Sequence, residues 1–419
     1  MSPLPKSHLA CRSCAAPLTT TMVDLGVQPV SNAFRTRAQR TESEMFYPLH
    51  AYVCDACWLV QLQDFGSPDL HFHGDYLYFS SFSSSWLAHA EAYAASMITR
   101  FGLRPGARMV EIASNDGYLL QFFKKAGMAC LGVDPAQNCA DAALANHQIR
   151  TEVAFFGRET AARLAASGQT ADMMAANNVL AHVPDINDFV AGFKILLKPE
   201  GVATFEFPHL LALIRNTQFD TIYHEHYSYL SLLALRPLFA RHGLQVFDAE
   251  RLTTHGGSLR LFVSHVASQH AITPAVAAIV AEENAGGLAD KATYECFAEQ
   301  VKAFKRSFVR MLIDLKDQGL SIAAYGAPAK GNTLLNYAGM RSDIIDFTVD
   351  RNPAKQQLDL PGLGIPVLSP GAIAEHKPDI VIILPWNLSG EIVGELGHIK
   401  AWGGRFLIPI PTPRLASPA

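Results

Sequence analysis

The sequence predicts an α/β chain: a small cysteine-bound ribbon followed by two helix-covered parallel sheets. Three observations carry this. Cys11-x-x-Cys14 and Cys54-x-x-Cys57 are two knuckles, each placing two thiolates on a tight turn, and together they complete the tetrahedral four-sulfur shell that structural Zn²⁺ favours. Short β-rich runs alternate with helical patterns over residues 107–242 and again over 321–408, the pattern of a parallel sheet covered on both faces. The length of 419 residues exceeds the roughly 250–300 at which one core stops growing, so two or three domains are expected.

In chain order, residues 1–70 are assigned to the zinc-binding domain. Residues 1–10 lack the apolar run of a signal peptide, so the cysteines read as a metal site in a cytoplasmic chain rather than as disulfides. A closed shell of four thiolates leaves no open coordination position, which makes the metal structural. Cys130, Cys139 and Cys296 are isolated and are expected to be buried thiols. Residues 71–270 are assigned to a second domain, opening with a polar, aromatic run over 71–85 and a helix over 86–101. Strands are then predicted at 108–114, 130–134, 171–179 and 202–207, with helices at 119–126, 140–147, 186–197 and 232–242.

That block ends differently. Two β-like runs, 244–252 and 258–266, are joined by Thr-Thr-His-Gly-Gly, too short for a crossover helix, so they must be antiparallel neighbours. A Rossmann-like sheet whose last strand inserts antiparallel is the class I methyltransferase arrangement. Residues 271–419 complete the chain: one or two long helices over 275–318, then a second Rossmann-like block. Its strands are predicted at 321–325, 344–349, 380–384 and 405–408, its helices at 332–338 and 391–402, and a loose tail follows from 409.

Open α/β sheets bind ligands where the first strand turns into its helix. Here that turn reads Glu111-Ile-Ala-Ser114-Asn115-Asp116-Gly117, and Gly117 lets the backbone approach a ligand closely. The second strand ends in Asp134-Pro135, an acid placed to accept from two ribose hydroxyls. That acid suits NAD and S-adenosylmethionine equally. The missing G-x-G-x-x-G loop separates them, because that loop cradles a pyrophosphate and S-adenosylmethionine has none. Glu111 is the expected partner of the cofactor's cationic amino-acid end, and Asn177 and Asn178, at the end of the strand predicted at 171–179, line the same cleft.

The densest chemistry is the run from Thr221 to Tyr229, Thr-Ile-Tyr-His-Glu-His-Tyr-Ser-Tyr. Core packing does not call for three phenols, two imidazoles and a carboxylate in one short segment. A histidine beside a carboxylate is poised for proton transfer near neutral pH. His226 is the candidate base, with Glu225 orienting it or stabilising its protonated form, and Tyr223, or a tyrosine of the upstream aromatic run, is the donor to a developing oxyanion. His182 joins the catalytic candidates and His224 the substrate-binding ones.

These segments, with Phe205-Glu-Phe-Pro208, His255-Gly-Gly-Ser-Leu-Arg260 and Tyr325-Gly-Ala-Pro-Ala-Lys-Gly331, occur in an order that resembles the sugar C-methyltransferases of deoxysugar biosynthesis over essentially the whole chain. The resemblance implies three parts: a zinc-binding domain, a central S-adenosylmethionine domain and a Rossmann-like C-terminal domain. It implies methylation of the carbon next to the ketone, usually C3, of a nucleotide-linked 4-keto-6-deoxy sugar. It also implies active-site roles for Tyr223, Glu225 and His226, and for one tyrosine of the upstream aromatic run, Tyr76 or Tyr78.

Gly326, Ala327, Lys330, Gly331 and Asn332 stand at the first strand-to-helix turn of the C-terminal block, an anion site made of backbone amides and one cation. A diphosphate linking nucleoside to sugar is its natural ligand, with Asp350 placed to meet a ribose. A net charge of −4 with few contiguous basic residues argues against a nucleic-acid partner, and no apolar run spans a bilayer. The expected protein is therefore a monomeric enzyme acting on a small molecule. Its rivals are an NAD-dependent nucleotide-sugar epimerase or dehydrogenase and a zinc-ribbon RNA-binding or RNA-modifying protein.

Overall fold

The computed structural model describes residues 9–65, 79–82 and 84–418, which form three main sheets and a small two-stranded ribbon. The first sheet is antiparallel, in the order Thr20–Gln28, Tyr47–Val53, Val60–Leu62 and Ser228–Tyr229. Its middle strand alternates, with Leu49, Ala51 and Val53 turned inward, as a half-buried strand must. The knuckles flank this sheet as matching turns. The amides of Ala15 and Trp58 donate to the carbonyls of Cys11 and Cys54 (2.8 Å each), and both residues are left-handed, at φ 62° and 61°.

The second sheet runs Leu244–Leu252, Ser258–His265, Leu197–Pro208, Ala171–Asn177, Arg108–Ile112, Ala129–Asp134, Thr151–Val153. The two strands of the terminal hairpin are antiparallel to their neighbours and the rest are parallel, which matches the reversed-strand arrangement read from the sequence. Successive residues serve opposite faces. Met109, Met173, Ala175 and Val202 pack with Tyr93, Met97 and Phe123, whereas Val110, Met174, Ala176 and Ala203 pack with Phe189, Phe193 and Phe239. Strand Thr151–Val153 and helix Arg158–Ala166 lacked a readable period and were not expected.

Two helices follow, Pro274–Ala285 and Lys291–Asp317. The second starts at Asp290, whose carboxylate accepts from the amide of Ala292, and buries Tyr294, Phe297, Val301, Phe304, Phe308, Leu312 and Leu315 at helical spacing. Each such side chain contributes about 1.5–3 kcal/mol when fully buried. The stripe lies in one continuous core with Met22, Leu25 and Leu49 of the first sheet and with the C-terminal sheet, so the N-terminal module and the C-terminal block share an interior.

The third sheet runs Val367–Leu368, Thr348–Val349, Ile322–Tyr325, Ile380–Ile383, Arg405–Ile408, Arg414–Ala416, parallel except for the last strand. Four expectations need correction. The strand at 344–349 shrinks to Thr348–Val349. The helix at 391–402 divides into Ser389–Glu395 and a 3₁₀ segment, Gly397–Trp402. The tail is not loose, because Arg414–Ala416 pairs with Arg405–Ile408. Of the three lone thiols only Cys139 is fully buried; Cys296 is exposed on its helix. Among the described residues no helix is long and apolar enough to cross a membrane.

Candidate active site

The turn after Arg108–Ile112 is held in an unusual backbone conformation, with Ala113, Asn115 and Gly117 all left-handed at φ 55°, 47° and 79°. A Cβ on Gly117 would come within 3.0 Å of Ile149, so this glycine is required by both conformation and space. Asp134 fixes the turn: its two oxygens accept from the amides of Asn115 and Ala136, both at 2.9 Å, and each oxygen keeps a second lone pair. Burial raises its pKa. On the strand below, Glu111 is 1% exposed and neither of its oxygens is within hydrogen-bond geometry of any described group. Burial pushes its carboxyl well above the ordinary range, against the nearby Tyr118 hydroxyl. Ser114 Oγ, Asp116 Oδ1, Asn177 Oδ1 and Asn178 Oδ1 are likewise buried without a partner. Such groups cost free energy unless a ligand completes them. This set fits S-adenosylmethionine: carboxylates for an ammonium and a ribose, and no phosphate loop.

The Thr221–Tyr229 run meets the segment that follows Asn177 and Asn178, through the contact of His226 with His182. His226 Nδ1 lies 2.8 Å from the carbonyl of Thr221, which can only accept, so Nδ1 carries the proton. Nε2 therefore accepts from the Tyr223 hydroxyl, also at 2.8 Å. The ring of His182 stands 4.5 Å away, edge to face. Burial, then His182, holds the His226 pKa well below 6.5, so this imidazole is neutral and able to take a proton.

Three expectations in this run are corrected. Tyr223 gives its hydroxyl hydrogen to His226 rather than to an oxyanion. Glu225 does not orient His226, whose nitrogens are both engaged elsewhere; it accepts from Asn32 of the N-terminal module at 2.7 Å and faces Lys355. Burial raises its pKa to about 7. His224 turns out of the cleft, toward the Pro48 carbonyl at 3.2 Å and the ring of Tyr47. Tyr76 and Tyr78 lie outside the described residues. The end of their segment is anchored on the cofactor turn, where Ser80 and Ser81 donate their amides to the side chains of Asn115 and Asp116.

Across the cleft, helix Ala329–Ala338 begins three residues earlier than expected, which puts Lys330 in its first turn. Lys330 Nζ donates to Asn387 Oδ1 and lies 4.4 Å from the Trp386 ring centre; the indole donates to Asp220 at 2.6 Å. Burial lowers Lys330 to about 8 and raises Asp220 to about 6. Gly326 is left-handed, and a Cβ there would strike Pro385 at 2.7 Å. Asp350 repeats the device of Asp134, accepting from the amides of Ala327 and Asn352 at 2.7 and 2.8 Å. Asn332 is 2% exposed and neither atom of its amide has a partner.

Sequence reasoning assigned no individual role to a cluster around Glu206 on strand Leu197–Pro208. Glu206 accepts from Arg260 at 2.6 Å and contacts His89 at 3.1 Å and Thr254 at 3.2 Å. The only signal was that Glu206 and Arg260 sit inside two of the motifs that carry the family resemblance. Beside this cluster, His255 has its Nε2 3.3 Å from the Asn178 amide nitrogen.

In the N-terminal module the four sulfurs of Cys11, Cys14, Cys54 and Cys57 lie within 4.8 Å of one another, with Cys11–Cys57 at 3.6 Å and Cys14–Cys54 at 3.5 Å. Tetrahedral thiolates at about 2.3 Å from Zn²⁺ need such separations. The cysteines therefore fit a structural zinc.

Comparison with known proteins gives three family matches along the chain. A family model of a zinc binding domain matches residues 11–72, one of a methyltransferase domain matches 86–249, and one of a C-methyltransferase C-terminal domain matches 253–411. The chain is 37% identical to C-methyltransferase NovU of Streptomyces niveus over 410 residues, 97% of this chain and 96% of that one. This chain belongs to the C-methyltransferase family. Solved structures overlap only partly with this C-methyltransferase. Magnesium protoporphyrin IX methyltransferase from Synechocystis PCC 6803 is 15% identical, covering 43% of this chain and 79% of that one at a TM-score of 0.34. PH0226 from Pyrococcus horikoshii OT3 is 12% identical, covering 45% and 94% at 0.36. The assignment rests on the full-length relative and the family models. The enzyme is S-adenosylmethionine-dependent and carries a zinc-binding domain.

Proposed function

We propose that this C-methyltransferase acts on the carbon next to the ketone, C3, of a nucleotide-linked 4-keto-6-deoxy sugar. The observation that carries the reading is the Tyr223–His226 hydrogen bond, an acid–base pair set in the cleft that holds the cofactor turn. Methylating an oxygen or nitrogen requires little beyond positioning, whereas carbon must first lose a proton. In the proposed step the C3 proton passes to Tyr223 Oη as the phenolic proton moves to His226 Nε2, and Nδ1 stays on the Thr221 carbonyl. The C–H electron pair becomes the C3–C4 π bond as the carbonyl π pair moves onto the ketone oxygen. S-adenosylmethionine, when bound, supplies an electrophilic methyl group. Glu111, Asp134, Asn177 and Asn178 would hold it. The diphosphate is assigned to Lys330 and the amides of its helix start, with Asn332 completing the pocket.

The proposal retains a monomer in a cytoplasmic setting. The test is mass spectrometry of products after incubating the enzyme with S-adenosylmethionine and a panel of nucleotide keto-sugars. A product heavier by one methylene, with the label on carbon by NMR, is expected. An O-methylated product, or none from any keto-sugar, would remove the reading.

A further inference from the structure

His255 sits at the tip of the connection between Leu244–Leu252 and Ser258–His265, with φ 53° and ψ 23°. A left-handed histidine is strained and persists where its surroundings over-determine it. The surroundings here do so. Gly256 follows at φ 84°, and a Cβ on it would lie 2.7 Å from Gln218 and 2.8 Å from the Trp386 ring, the same indole that carries Lys330. Gln218 also donates to the Gly256 carbonyl at 2.9 Å, and the Gly257 carbonyl accepts from the His209 amide at 3.0 Å. The tip is thus locked against the C-terminal block.

The ring is fixed as firmly as the backbone. Trp86 packs against it at 5.3 Å, and the Asn178 amide meets Nε2 at 3.3 Å. With Nε2 accepting, the proton resides on Nδ1, which has no partner among the described residues. The residue is enclosed by protein yet open to solvent, as a cavity wall is. Three groups locate that wall. Asn178 leads to the cofactor turn, Trp386 carries Lys330 of the anion site, and His226 lies near enough for His255 to lower its proton affinity.

We propose that His255 is a further catalytic residue, its Nδ1–H donating to the substrate's ketone oxygen as negative charge gathers there. The proposal rests on the keto-sugar reading above. The C–H proton goes to the Tyr223–His226 pair and the carbonyl π pair to oxygen. His255 keeps its own proton throughout, and the carbonyl re-forms as the methyl group joins carbon. Burial, then Lys330, holds the His255 pKa near 4, against the raising effect of Glu206. A neutral imidazole donates such a bond without surrendering its proton.

The test uses the whole enzyme with nucleotide keto-sugars. It reads methyl transfer and, without the methyl donor, exchange of the proton beside the ketone into heavy water. His255→Gly accepts the left-handed backbone and deletes the ring; His255→Asp also accepts it and has no hydrogen to donate at neutral pH. His255→Asn restores a donor near Nδ1. Both donor-free variants should lose about 10²–10³-fold in kcat and in exchange, with KM and cofactor affinity held within about threefold, and Asn should recover at least about tenfold. A wild type that neither exchanges nor methylates any keto-sugar would sink the substrate reading itself. An active wild type whose Gly and Asp variants keep kcat within about threefold, or raise only KM, would overturn the role of His255 alone.

Discussion

At the scale of single residues, the Tyr223–His226 pair makes a testable statement about shared chemistry. Because the phenol occupies Nε2 and a carbonyl occupies Nδ1, the proposed function has the substrate meet the pair as a unit. Tyr223→Phe and His226→Asn should each slow single-turnover methylation by about 10²–10⁴-fold, and the double variant should be no slower than the worse single one. Additive losses would mean that the two residues act on different steps. Glu225 makes a different statement, about stability. Its carboxyl rises from 4.5 to about 7 in the folded protein, so the unfolded chain gives up the proton first as pH increases. The contribution is fully present below pH 4.5 and is lost as pH rises through about 7. Glu225→Gln retains the acceptor for Asn32 and removes this titration. Its melting temperature should match wild type near pH 4.5 and exceed it at pH 8, by the equivalent of about 1–3 kcal/mol. His226 acts with the opposite sign, losing stability as pH falls below 6.5, but it contributes equally to both proteins at any one pH. Equal melting temperatures at pH 8 would show that Glu225 ionises without penalty.

At the scale of elements, the two-residue strand Ser228–Tyr229 links the metal site to the catalytic run. It pairs with Gln61 and Val60, and the Tyr227 carbonyl accepts from the Leu62 amide at 3.0 Å. Gln61 itself donates to Cys11 Sγ at 3.1 Å and accepts from the Arg12 amide. The zinc module therefore serves as a clamp on residues 223–229. Purified enzyme should hold one zinc per chain by elemental analysis, and chelation or Cys54→Ser should abolish methylation while cofactor affinity falls far less. Loss of cofactor binding in step with zinc would break that argument. The knuckles were legible because C-x-x-C fixes its own turn, and the reversed hairpin was legible because five residues leave no room for a crossover. The clamp was not legible, since two residues have no period and their partner strand lies far away in sequence. The same limit hid Arg414–Ala416 and the reach of Asn32 to Glu225. His224 and Glu225 were misread for a related reason: in a run of polar residues, sequence shows which groups are present but not which way each one turns.

At the scale of the whole molecule, the cleft divides its work between two sheets that use the same local device. In each sheet an acid at the end of the second strand, Asp134 or Asp350, ties down the first strand-to-helix turn through two backbone amides. Residues Arg35–Thr36 pair with Leu358–Asp359, and Arg40 pairs with the buried Asp359 at 2.5 Å, so the N-terminal module also holds the C-terminal block in place. One side of the cleft should accordingly answer for the cofactor and the other for the substrate. Asp134→Ala removes a charged acceptor and the brace of its turn, and should weaken S-adenosylmethionine by about 1–3 kcal/mol with nucleotide-sugar affinity nearly unchanged. Lys330→Ala should do the converse, raising KM for the sugar nucleotide much more than it lowers kcat, because a diphosphate is held alike in ground and transition states. Titration calorimetry of both variants with both ligands separates the sites. If Asp134→Ala spares the cofactor and weakens the sugar nucleotide, the assignments exchange. If Lys330→Ala leaves KM intact and stops turnover, the lysine belongs to the chemistry beside His255, not to the handle by which the substrate is held.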